Sequence, residues 1–245
     1  MPKPLFHGVF ASTSTPFNAR GDLQLDRVKP HIDWILADGA HAISPLGSSG
    51  EFTALEIADR KRVLEAVLAA NAGRVPVVAG THHYSTRLTI DLSRHAQQAG
   101  ADALLIVPPY YMALTPSQVM EHYRRIAESV SIPIVVYHNI PLTAVDLKAE
   151  HLLKLYEEGT IAGIKMSNPE PDRICELLQA TDGKLQFSAY HSRGDGAHWF
   201  SVMKATLNMI GPPVGDPAPP VLPLGEPYRG QLARILTDLG YQLGV

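Results

Sequence analysis

The sequence predicts an α/β chain of the parallel (β/α) barrel type, and three observations carry that reading. Short apolar runs recur along the chain, each followed by a helical pattern; from the second onward they start about every 25 to 35 residues, the length of a strand with its crossover helix. Runs such as Leu104-Leu105-Ile106-Val107 are apolar throughout, and such a strand is buried on both faces, as in a parallel sheet covered by helices. Gly39, Gly73, Gly100, Gly159 and Gly183 follow the helical stretches, where a left-handed cap is wanted. A doubly wound open sheet competes, but no Gly-x-Gly-x-x-Gly follows a strand, so a dinucleotide-binding version lacks support.

The strands are expected at Gly8 to Ser12, His41 to Leu46, Val75 to Ala79, Ala103 to Val107, Ile134 to Tyr137, Ile161 to Lys165 and Leu185 to Ser188. Between them, Thr53-Ala54-Leu55-Glu56 and Thr115-Pro116-Ser117-Gln118 fit a capping box, the second with Pro at the first helical position. Leu25, Val28, Ile32 and Ile35 share a helical face, as do Leu88, Leu92 and Ala99, and Val119, Tyr123, Ile126 and Val130; these faces are expected in the core. The rhythm then breaks. A polar stretch, His191 to Ala197, leads to one helix from about His198 to Ile210, a proline-rich segment from Gly211 to Pro227, and a short helix from about Tyr228 to Leu239. The proline-rich segment is expected as an extended loop packed on the domain rather than a PxxP ligand. No eighth strand is found, so residues 1–197 read as the barrel and 198–245 as a C-terminal helical and Pro-rich region.

Composition narrows the function. With Lys+Arg 21 against Asp+Glu 24, the net charge is −3, and no basic run offers a footprint for nucleic acid or an anionic membrane. Apolar runs such as Ala103 to Val107 are too short to cross a bilayer, and Met1 to Phe10 lacks the apolar stretch of a signal peptide. Cys175 is the single cysteine, which excludes an intramolecular disulfide and a Cys-rich zinc site and suits a reducing, cytoplasmic setting.

In a parallel barrel the active site lies at the carboxyl ends of the strands. There stand Gly47-Ser48-Ser49-Gly50-Glu51, Pro108-Pro109-Tyr110-Tyr111, Tyr137-His138-Asn139 and Gly163-Ile164-Lys165. Glycines, hydroxyls and N–H groups at a helix start suit a carboxylate, although the same turn is equally a tight connection with Ser as cap. A lysine closing a buried apolar strand is unusual. Desolvation would lower its pKa and leave a nucleophilic amine, as a Schiff base requires, against the alternative of an ordinary ion-paired lysine.

These motifs carry a resemblance. From Gly8 to about His191 the chain resembles the family of dihydrodipicolinate synthase and N-acetylneuraminate lyase, pyruvate-dependent class I aldolases on a (β/α)8 TIM barrel, through Gly47-Ser48-Ser49-Gly50-Glu51, Pro109-Tyr110-Tyr111, Tyr137 after Ile132-Pro133, and Gly163-Ile164-Lys165. The resemblance implies that Lys165 forms an imine with a 2-oxo acid such as pyruvate, that Tyr137 shuttles protons, and that Gly47, Ser48 and Ser49 hold the carboxylate. Tyr111 resembles a proton-relay tyrosine placed in a neighbouring subunit's site, so a homo-oligomer, a homotetramer in the family, is implied. The partners would be a 2-oxo acid and an aldehyde, with no metal and no cofactor beyond the covalent imine.

Two departures qualify it. Dihydrodipicolinate synthases read Tyr-Asn-x-Pro-Gly-Arg where this chain reads Tyr137-His138-Asn139-Ile140-Pro141-Leu142, and Ser48 stands where they have Thr. With Leu142 in place of the carboxylate-gripping arginine, a sugar-acid or other 2-oxo acid aldolase or dehydratase is expected rather than the lysine-pathway enzyme. The region of the eighth strand is also missing, on the order of fifty residues at about 30 per βα unit. Two rivals follow: a non-catalytic barrel remnant, and a metal-dependent aldolase or hydrolase built on His82, His83, His138 and His191.

Overall fold

The computed structural model describes residues 7–167, 171–189, 199–226 and 228–244. In chain order its elements are β1 (Phe10–Ser12), α1 (Val28–Ala37), β2 (Ala42–Ser44), α2 (Ile57–Asn71), β3 (Val78–Gly80), α3 (Thr86–Ala99), β4 (Ala103–Ile106), α4 (Pro116–Ala127), β5 (Ile134–His138), α5 (Ile140–Thr143), α6 (Ala149–Glu157), β6 (Gly163–Met166), α7 (Pro171–Ala180), β7 (Gln186–Ala189), α8 (Trp199–Ile210) and α9 (Tyr228–Asp238). The chain forms two compact units: Val78–Ser192, which is continuous, and Met1–Val77 with Arg193–Val245, which is not. Among the described residues no helix is long and apolar enough to cross a membrane.

The continuous unit is a five-stranded sheet in the order β3-β4-β5-β6-β7, every pair parallel. Its apolar strands are buried as the sequence predicts: Leu104 and Ile106 of β4 and Val136 of β5 are each 0% exposed. Burying each such side chain contributes roughly 1.5–3 kcal/mol. The α4 positions Val119, Tyr123 and Ile126 are buried too, whereas Val130, expected on the same face, lies past the end of the helix and is half-buried; the Tyr123 hydroxyl donates to the Ile106 carbonyl at 2.9 Å. Thr115 opens α4 with the expected capping box. On α3 the expectation needs correction. Its buried positions are Thr89, Leu92, Ser93 and Ala96, while Leu88 and Ala99 are half-buried, because the polar members find partners: Ser93 pairs with Thr81 and Thr89 donates to the His83 carbonyl.

The third strand begins at Val78, later than Val75. Pro76 has no N–H to give a ladder; its carbonyl accepts from Ile43 N–H at 3.0 Å instead. The sixth begins at Gly163, since Ile161 N–H is held by Leu155 at the end of α6.

In the discontinuous unit β1 and β2 pair in parallel and α1 packs on α2, with Val28, Ile32 and Ile35 buried. Leu25 belongs to a 3-10 turn ahead of α1. Thr53 is not a cap: Phe52–Ala54 is a 3-10 turn, Leu55 is extended, and α2 starts only at Ile57. The helix α8 buries Ser201, Lys204, Ala205 and Met209, a helical stripe. The proline-rich segment is a packed loop, with Val214 0% exposed and Ala218 and Leu224 buried. Among the described residues no strand follows β7; the stretch His191 to Ala197 lies outside them.

Candidate active site

The register of β5 and β6 sets Tyr137 opposite Lys165, and paired positions of neighbouring strands share a face. The Lys165 Nζ lies over the Tyr137 ring, 4.0 Å from its centroid, a geometry of mutual attraction. Tyr137 is 3% exposed. Lys165, one residue before the end of its strand, is half-buried rather than fully enclosed. Asn139, also buried, donates from Nδ2 to the Tyr137 phenolic oxygen at 3.3 Å. The Asn139 backbone carbonyl accepts from the Thr143 N–H and hydroxyl at 3.1 and 2.9 Å, so α5 holds the backbone of Asn139 in place. An amine and a phenol thus stand together at one sheet end.

Next to Tyr137, His138 turns away into local structure, its Nε2 accepting from Leu147 N–H at 3.1 Å. Burial first, then the Arg173 charge, bring its pKa down to about 4. Leu142 is 64% exposed. Tyr111, on the loop after β4, is 95% exposed with φ at 84°, so the structure does not fold it onto the Lys165–Tyr137 pair of its own chain.

The Gly47–Glu51 loop belongs to the discontinuous unit and follows β2. Leu46 and Glu51 flank it in left-handed conformations, φ 60° and 53°. Gly50 N–H bonds to Gly47 and Glu51 N–H to Ser48. A Cβ on Gly50 would stand 2.7 Å from the Leu46 nitrogen, so only glycine closes this turn. Gly47 is buried; Ser48 and Ser49 are half-buried, and their hydroxyls make no hydrogen bond to a described residue. One expectation is corrected here: the loop leads into the Phe52–Ala54 turn, so its N–H groups are not those of a helix start.

A model of the dihydrodipicolinate synthetase family matches residues 5–192. The chain belongs to that family. Among curated relatives it is 38% identical over 178 residues to the 4-hydroxy-tetrahydrodipicolinate synthase of Rhizobium meliloti, covering 72% of this chain and 60% of that protein. It is 39% identical over 174 residues to an uncharacterized DapA-like lyase of Halobacterium salinarum, covering 71% and 57%. The chain therefore spans about 60% of the length of these curated relatives. Among solved structures, a putative dihydrodipicolinate synthetase from Pseudomonas aeruginosa superposes with TM-score 0.89 at 25% identity, covering 96% of this chain and 99% of that one. YagE, a prophage protein of the dihydrodipicolinic acid synthase family from E. coli K12 in complex with pyruvate, does so with TM-score 0.88 at 26% identity, covering 97% and 99%. The fold class is that of the family, α/β of the (β/α)8 TIM-barrel type.

Among the described residues no group of three His, Cys, Asp or Glu could hold a metal ion, and the described histidines of the metal reading each engage one ring nitrogen locally. His82 Nδ1 bonds the Leu105 carbonyl at 2.9 Å, His83 Nδ1 accepts from Ser85 N–H at 2.9 Å, and His138 is held as above; His191 lies outside the described residues. Sequence reasoning on this family chain missed another group. Lys204 of α8 is buried, with its Nζ 3.0 Å from Glu51 Oε1. Burial pulls its pKa down while the Glu51 charge opposes that. The available signal was that Lys204 is the sole charged residue of the run Trp199–Ile210.

Proposed function

We propose that the chain is a Schiff-base-forming lyase or aldolase acting on pyruvate or a related 2-oxo acid, without a metal. The Lys165 Nζ lone pair adds to the 2-oxo carbon; loss of water leaves a protonated imine that draws electrons from the adjacent carbon. Tyr137 takes or returns the proton as a C–C bond is broken or made. Gly47, Ser48 and Ser49 hold the carboxylate. Tyr111 serves the site of another copy in a homo-oligomer.

The observation that carries this reading is the Lys165 Nζ set 4.0 Å from the Tyr137 ring at paired strand positions. Family membership and the resemblance of the motifs support the rest. The curated relatives above include a 4-hydroxy-tetrahydrodipicolinate synthase, but Leu142 offers no charge to a second carboxylate, and we favour a sugar acid or another 2-oxo acid as substrate class.

Pyruvate with borohydride tests it. A reduced adduct on Lys165, located by mass spectrometry of a digest, is expected; a chain that binds pyruvate with no adduct, or with one elsewhere, sinks the Schiff base. The competing reading of an inactive barrel remnant draws on the lack of a strand after β7 among the described residues, and the same digest decides between them.

A further inference from the structure

We propose that Lys204 is a positioning residue which, through Glu51 and Thr15, holds the Gly47–Glu51 loop in the shape that receives the substrate carboxylate. The inference rests on the Schiff-base reading above.

The side chains of Lys204 and Glu51 are 1% and 3% exposed. An ammonium so enclosed needs all its protons met, and Lys204 donates to the carbonyls of Thr15 at 2.6 Å, Val214 at 3.2 Å and Asp216 at 3.4 Å besides facing Glu51 at 3.0 Å. From there two lines run to the loop. One is the Glu51 carboxylate itself, whose Oε2 also accepts from Ala218 N–H at 2.6 Å; Glu51 is the residue that ends the loop in a left-handed conformation. The other is Thr15, whose hydroxyl donates to the Gly50 carbonyl at 2.7 Å. Two consecutive residues of the turn, Gly50 and Glu51, are thereby tied to a single charge. Their N–H groups already close the turn on Gly47 and Ser48, so the hydroxyls of the half-buried Ser48 and Ser49 ride on a turn that the tie holds. Moving the tie moves those hydroxyls. His31 stands near the same charge: it accepts from Ser14 N–H through Nε2 and so is a neutral neighbour, not a competitor for Glu51.

A merely structural ion pair would change how much protein folds. A positioning residue changes how the folded protein takes substrate. The test measures borohydride-trapped adduct on Lys165 against pyruvate concentration, giving a half-saturation and a plateau per folded chain. The double variant Lys204→Met/Glu51→Gln removes both charges and keeps their volume, avoiding a lone buried charge. Thr15→Val cuts the second line, and Thr15→Ser restores its hydroxyl. The double variant and Thr15→Val are expected to need about tenfold more pyruvate at an unchanged plateau, since small misplacements of binding groups carry penalties of this order or larger; Thr15→Ser behaves as the parent. Folded variants with the parent's half-saturation overturn the proposal and leave the Schiff base standing. If the double variant fails to fold, Thr15→Val decides alone, and its failure to fold as well assigns the network to stability and overturns the proposal. A parent chain that traps no adduct overturns the Schiff-base reading and this inference together.

Discussion

The amine of Lys165 sits 4.0 Å from the centre of the Tyr137 ring, at positions paired across two parallel strands. The amine lies over the ring face, a contact that a phenylalanine would also offer. Tyr137→Phe keeps the face and deletes the hydroxyl proposed to carry the proton. Its adduct on Lys165 should still be trapped, while exchange of the pyruvate methyl protons with deuterium, followed by NMR, should slow about 10²–10⁴-fold. Equal losses of both would show that the hydroxyl is needed for imine formation itself. Lys165→Met should trap nothing.

Leu142, 64% exposed, can be replaced at little structural cost, within about 0.5 kcal/mol for a surface site. Leu142→Arg introduces a bidentate partner for a carboxylate. Condensation of pyruvate with aspartate semialdehyde should rise relative to uncharged aldehydes. An unchanged preference would remove Leu142 as the determinant of partner choice.

Acid should weaken the fold before the carboxylates titrate. His31, His122 and His138 are buried, and each has its pKa lowered from 6.5 to about 4, with burial the largest cause. Because the folded value lies below the unfolded one, the neutral ring favours the folded state: the full contribution is present above about pH 6.5 and disappears as the pH falls toward 4. Each such shift corresponds to roughly 3 kcal/mol. Two of the rings also accept a backbone N–H, His31 from Ser14 and His138 from Leu147, and a protonated ring cannot accept. Urea melts at pH 7 and pH 4.5 should show a fall of several kcal/mol on this scale; a flat profile would contradict the assignment of these rings as neutral.

Thr115→Ala removes a cap whose side chain accepts from Gln118 N–H while Gln118 reaches back to Thr115 N–H. The cost should be about 1 kcal/mol, read as a shift in the denaturant midpoint with an unchanged slope. Thr53→Ala, which ends no helix, should cost less.

The contrast between those two threonines shows what the sequence makes legible. Both open a Thr-x-x-Glu/Gln pattern, but Leu55 is extended, so only one pattern is realised as a helical turn. The strands β4, β5 and β6 were readable because burial on both faces of a parallel sheet writes itself as an unbroken apolar run. Lys165 and Tyr137 stood out for the same reason, each a polar residue near the end of such a run, and the register of the two strands pairs them. The α3 face was misread because Thr89 and Ser93 are satisfied by partners, Ser85 and Thr81 among them, that periodicity does not encode. Lys204 escaped notice because two of the groups it meets, the Glu51 carboxylate and the Thr15 carbonyl, are remote, Thr15 lying 189 residues away. The local pattern marks Lys204 as a lone charge in an apolar helix but does not say which carboxylate neutralises it.

That separation has a consequence for biogenesis. Val78–Ser192 is continuous in sequence, so all of its ladder partners have been synthesised once residue 192 has been added. The other unit draws on both ends of the chain, and its buried Glu51 has no counter-charge until Lys204 has been made. Domains fold as units during synthesis, at about 5–20 residues per second. The Glu51 carboxylate must therefore wait for its counter-charge through the translation of the whole intervening segment. A ribosome stalled before codon 204 would carry a nascent chain whose middle has its full set of strands and whose beginning remains open to proteases and chaperones.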